Sequence, residues 1–124
     1  VTELILSDNK LTNVKGLEKL TKLEVLYLGI NQLTKLPEGL EKLTQLKGLW
    51  LNNNQLTDVK GLEKLTQLKE LSLYENRLTS VKGLEKLTGL TRLSLDGNPD
   101  LTKAQIDELK KALPKCRIDW YPTK

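Results

Sequence analysis

Apolar and polar positions follow one frame that returns five times along the chain. In its third copy the frame is Leu46, Leu49, Leu51, Asn54 and Leu56, the pattern L-x-x-L-x-L-x-x-N-x-L. Its asparagines are Asn9, Asn31, Asn54, Asn76 and Asn98, with gaps of 22, 23, 22 and 22 residues. A period in the twenties marks a stacked repeat architecture. The L-x-L segment has the two-residue period of a short strand with one buried face. The return path repeats Gly-Leu-Glu-Lys-Leu-Thr from Gly16, Gly39, Gly61 and Gly83. That stretch is too short for a long helix and predicts one turn of 3-10 or α helix. Copies of the strand then lie side by side and parallel, with the turns behind them. The units run 1–22, 23–45, 46–67, 68–89 and 90–112, with Val1 in the first slot of the first unit. In the fifth unit Pro99 and Asp100 stand between Asn98 and Leu101, an insertion of one residue.

The C-terminal stretch changes period. Thr102 and Gln105 have capping-box spacing, and Leu101 and Ile106 hold the staple positions around it. Ile106, Leu109 and Leu113 recur at helical spacing before Pro114. Cys116 lies 23 residues after Leu93, and Ile118 lies 23 after Leu95. This predicts a sixth strand, with Cys116 as a buried structural thiol in a leucine slot. A helix-strand cap over about residues 102–124 follows.

The repeated frame resembles that of leucine-rich repeat proteins, along essentially the whole chain. The 22-residue units are similar to the internalin and phosphatase-regulator subclass of bacterial proteins. Leu36-Pro37-Glu38-Gly39 makes unit two a 23-residue form similar to other bacterial repeats. The resemblance implies an α/β fold: a curved solenoid with parallel strands on the concave face and short turns on the convex face. It also implies an asparagine ladder, in which a buried side-chain amide bridges backbone groups of successive turns. Its functional implication is a non-enzymatic module that binds a protein or peptide.

Length and composition fit a single domain over 1–124. Thirty of the 124 residues are leucine, while Phe, Met and His are absent. A core of one aliphatic type suits identical layers. The net charge is +4 with 29% charged residues of interleaved sign. Lys15, Lys60 and Lys82 form a basic column, but Glu18, Glu63 and Glu85 dilute it, so no nucleic-acid partner is expected. No apolar run is long enough for membrane insertion. With no histidine, no phosphate-cradling glycine loop and no metal-ligand spacing, no catalytic, cofactor or metal site is expected. The repeated Glu-Lys pairs read as a solvated face.

The x positions of the strands point out of the concave side, and they vary where the frame does not. One column holds Ile5, Tyr27, Trp50, Ser72, Ser94 and Arg117. Those flanking it hold Glu3, Val25, Gly48, Glu70, Arg92 and Lys115, then Ser7, Gly29, Asn52, Tyr74, Asp96 and Asp119. The outermost column is Asp8, Ile30, Asn53, Glu75, Gly97 and Trp120. Adjacent strands lie about 4.8 Å apart, so Ile5, Tyr27 and Trp50 are neighbours. Tyr74 lies diagonally beside Trp50, and Val25 and Ile30 flank Tyr27. Aromatic groups ringed by polar residues have the composition of interaction hot spots. The expected partner-binding residues are Ile5, Val25, Tyr27, Ile30, Trp50, Asn52, Asn53, Glu70, Ser72, Tyr74, Glu75 and Arg92.

Two rival readings share the same pattern. Near-identical repeats also suit a scaffold or spacer, consensus-engineered or cut from a longer array, with no specific ligand. Tyr27 and Trp50 would also serve as stacking platforms for a glycan, although no insertion forms a pocket. At the N-terminal end, Leu4, Leu6, Leu11, Val14, Leu17 and Leu20 make a first layer without a neighbour in this sequence. Either a cap precedes it, or chains meet weakly end to end at the strand edge. Sedimentation velocity over a wide concentration range distinguishes the two, and a strictly monomeric chain contradicts self-association.

Overall fold

The computed structural model describes residues 2–122. Six three-residue strands stand in chain order in one parallel sheet: β1 (Glu3–Ile5), β2 (Val25–Tyr27), β3 (Gly48–Trp50), β4 (Glu70–Ser72), β5 (Arg92–Ser94) and β6 (Arg117–Asp119). Parallel neighbours require a crossover behind the sheet. The 3-10 turns Leu17–Lys19, Leu40–Lys42, Leu62–Lys64 and Leu84–Lys86 supply four of them, and helix α1 (Lys103–Ala112) the fifth. The turns close a curved leucine-rich solenoid, as the repeat frame predicts.

Register carries the core. Leu26, Leu49, Leu71 and Leu93 pair in one row across β2 to β5 and are buried. Leu28, Leu51, Leu73 and Leu95 form the next row inward, each fully buried. Leu40, Leu62 and Leu84 meet these rows from the turns. Each turn is entered through glycine in the left-handed region, with φ reaching +104° at Gly83, where any other residue is strained. In the first layer Leu17 is buried, while Leu4, Leu6, Leu11, Val14 and Leu20 are only half-buried. Val1 and its slot lie outside the described residues, as do the last two residues of the C-terminal segment.

The asparagines form the ladder. Asn54 Oδ1 accepts from the Leu33 amide at 3.0 Å. Its Nδ2 donates to Leu28 O at 3.0 Å and Leu51 O at 3.1 Å. Asn76 and Asn98 repeat this one and two units on. Each amide therefore joins its own turn to the preceding one, satisfying backbone groups that have left the sheet. Asn9 differs: it is exposed, and its Nδ2 donates only within its own turn, to Leu6 O and Ser7 O.

The capping box at α1 forms as its spacing predicts. Thr102 Oγ1 accepts from the Gln105 amide at 3.2 Å, and Gln105 Oε1 accepts from the Thr102 amide at 2.9 Å. Gln105 Nε2 also donates to Thr79 O at 3.0 Å, which ties the helix to the unit before it. Ile106, Leu109 and Leu113 are buried.

The sixth strand corrects the expected alignment. Leu93 pairs with Ile118, not Cys116, and Arg92 and Ser94 pair with Arg117 and Asp119. Leu95 N donates to Asp119 O at 2.8 Å, as Leu73 N does to Ser94 O at 2.9 Å. Trp120 therefore stands where Leu95 does one layer earlier. It packs on the core instead of pointing out of the concave face. Cys116 precedes the strand and is half-buried. A slip of two residues keeps the same face inward, and Ile118 with Trp120 covers more leucine than Cys116 with Ile118. Burial pushes the Cys116 thiol up from its ordinary value, with Asp119 adding to the shift, so it is a poor thiolate nucleophile.

Candidate binding face

The outward strand positions and the residues that follow them form one face. The register sets Ile5, Tyr27 and Trp50 side by side on β1, β2 and β3. Tyr27 and Trp50 stack, with ring centroids 4.8 Å apart and planes 23° from parallel. Both are half-buried. Val25 is half-buried next to them, and Ile5 is 64% exposed at the end of the row.

The stack depends on a glycine that the column pattern does not single out. A Cβ on Gly48 would lie 2.6 Å from Trp50 Cζ3, so the indole lies back over the bare backbone of its own strand. Gly29 similarly leaves room for Asn52, whose Oδ1 would be 2.8 Å from an added Cβ. The signal in the sequence was a glycine two residues before a tryptophan in an otherwise side-chain-bearing column.

A second hidden feature is backbone conformation. Asp8, Ile30, Asn53, Glu75 and Gly97 all have φ between +56° and +74°. Gly and Asn occupy this region readily; a β-branched residue there is an outlier. Ile30 is 53% exposed at φ +56°, so it holds strain without the compensation of burial. Ile30→Asn should stabilise the chain by about 1 kcal/mol by relieving that strain. Urea melts measure this, and a destabilised variant would show that Ile30 makes contacts worth more than its strain.

The remaining candidates divide by exposure. Asn53, Glu70, Glu75 and Arg92 are exposed, and Tyr74 is 38% exposed. Asn52 and Ser72 lie on the face but are covered by their neighbours. Asn52 Nδ2 donates to Asn53 Oδ1 at 2.8 Å. Ser72 Oγ and Asp96 Oδ1 are buried without a hydrogen-bond partner. Trp50, Glu70, Ser72, Tyr74, Arg92 and Ser94 line a depression of about 240 Å³. The aromatic stack thus continues into a polar hollow.

The face is acidic on a chain of net charge +4. Glu3, Asp8, Glu70, Glu75, Asp96 and Asp119 stand on it against Arg92 and Arg117. Asp119 lies 3.7 Å from Arg92 Nε and 3.2 Å from Arg117 Nε, so it partly neutralises both. No group of three or more His, Cys, Asp or Glu among the described residues is placed to hold a metal ion. No helix among them is long and apolar enough to cross a membrane.

The family model described as "Leucine Rich repeats (2 copies)" matches residues 1–42, 25–64, 44–77 and 66–111. The chain belongs to the leucine-rich repeat family. Among solved structures it is similar to a leucine-rich repeat protein of Leptospira interrogans, at 37% identity and a TM-score of 0.76. That match covers 83% of this chain and 26% of the other. It is also similar to an internalin from Listeria monocytogenes, at 27% identity and a TM-score of 0.82, covering 93% of this chain and 34% of that one. The chain spans about a third or less of the length of either. A comparison with curated protein sequences gives no match. The leucine-rich repeat fold is in general a protein-interaction scaffold, and proteins of this kind are typically non-enzymatic.

Proposed function

We propose that this leucine-rich repeat chain is a non-enzymatic module that binds a protein or peptide on its concave sheet face. The observation that carries the reading is the Tyr27–Trp50 stack, seated over Gly48 and continued by Tyr74 toward a polar hollow. Stacked, half-exposed rings bordered by charged groups supply the large, rigid contact area of interface anchors. A spacer has no need of a glycine that seats an indole, nor of an isoleucine held at positive φ on an exposed edge. The variation of these columns beside an unchanging leucine frame points the same way.

The test is a peptide-display selection against the chain, with counter-selection on a Tyr27→Ala, Trp50→Ala, Tyr74→Ala triple variant. Peptides that bind the chain and lose the triple variant support the reading. Peptides that bind both equally, or none at all, contradict it.

A further inference from the structure

We propose that the depression between Trp50 and Tyr74 is a subsite for an arginine side chain of a basic partner segment. The proposal rests on the concave face being the binding surface and names the chemistry that this face takes. Its size is the first argument. Small-molecule pockets occupy about 300–1,000 Å³, whereas this hollow holds about 240 Å³, room for one long side chain.

Its lining is the second. Trp50 and Tyr74 present ring surface, and a guanidinium favours the face of such rings. Ser72 is 6% exposed, lines the hollow, and its Oγ has no partner. Glu70 stands at the rim and makes no ion pair among the described residues, although Arg92 is its register partner. Arg92 lies instead beside Asp119 on β6, leaving the Glu70 carboxylate free for an incoming fork of donors.

Charge is the third. Glu75, Asp96 and Asp119 add to Glu70 on this half of the face, four carboxylates against Arg92, which itself lines the hollow, and Arg117. The concave side is thus acidic while the chain as a whole is basic. Such a field draws a cationic partner and turns away an acidic one.

The experiment follows the Trp50 indole N–H signal of the isotope-labelled chain by nuclear magnetic resonance. Three probes are titrated at low salt: N-acetyl-arginine amide, its neutral isostere N-acetyl-citrulline amide, and N-acetyl-glutamate amide. The arginine probe should move the Trp50 signal and leave Trp120 unmoved. Glu70→Gln should weaken it about two- to fivefold and Arg92→Gln should tighten it by a similar factor, the range of exposed ion pairs. Citrulline binding as well as arginine, glutamate binding better than arginine, or no movement of the Trp50 signal overturns the subsite. The two proposals fail separately. Selected peptides that need the aromatic triad but lack arginine leave the binding face standing and remove the subsite. Arginine bound at Trp50 with no triad-dependent peptides does the reverse.

Discussion

Asn54→Ala should cost about 3 kcal/mol of stability, near the upper end of single substitutions outside the leucine core. The side chain is 7% exposed and holds three backbone groups at 3.0–3.1 Å: the Leu33 amide and the Leu28 and Leu51 carbonyls. Alanine leaves each of them in a leucine-lined interior with no replacement. A stranded buried polar group costs roughly 1–3 kcal/mol, and partial relaxation lowers the sum below three full penalties. Asn9→Ala is the internal control. Asn9 is exposed and bridges no second turn, so water replaces its two bonds and the cost should stay under about 1 kcal/mol. Urea melts of both variants, with equal m-values, give the comparison. Equal costs at the two positions would mean that the ladder's stabilisation lies within each turn and not between turns.

Much of the architecture was legible because the chain compares itself with itself. A leucine at every leucine slot of units two to four, and at all but the displaced last one of unit five, leaves one arrangement in which all are buried, and the ladder falls where the strand ends. The Thr102–Gln105 box was equally legible, since its spacing is the mechanism. The register of β6 was not. Cys116, Ile118 and Trp120 alternate, so either register keeps Ile118 inward; the two-residue shift exchanges an inward Cys116 for an inward Trp120, and the length of the helical crossover decides it. At the site, the columns located Tyr27 beside Trp50, but not which way the indole lies. Ser72 reads as an outward polar residue, yet it sits between larger neighbours that cover it. The left-handed column was written in Asn53 and Gly97, whose preference for positive φ is known. Ile30 and Glu75 hid it, because neither residue type advertises that conformation.

Loss of Trp50 and loss of its seat should have the same effect on binding and different effects on folding. Trp50→Ala removes the central ring of the face and should weaken triad-dependent peptides by about 2 kcal/mol or more, as central aromatic anchors do. Its cost in stability should be nearer 1 kcal/mol, because the ring is half-buried and its main lost partner is the Tyr27 stack. Gly48→Val keeps the tryptophan but places a Cβ 2.6 Å from where Cζ3 now lies. The indole must swing off the strand, and the 4.8 Å stack with Tyr27 is lost. Valine also replaces a glycine at the first position of β3, beside Val25 of β2. That gain in strand propensity, about 0.5–1 kcal/mol, offsets the lost stacking. Gly48→Val should therefore bind as poorly as Trp50→Ala while melting close to the unsubstituted chain. Calorimetric titration with the selected peptides, alongside thermal melts, separates the two quantities. Full affinity in Gly48→Val would show that the indole binds equally well from another rotamer, and that the glycine serves the sheet and not the site.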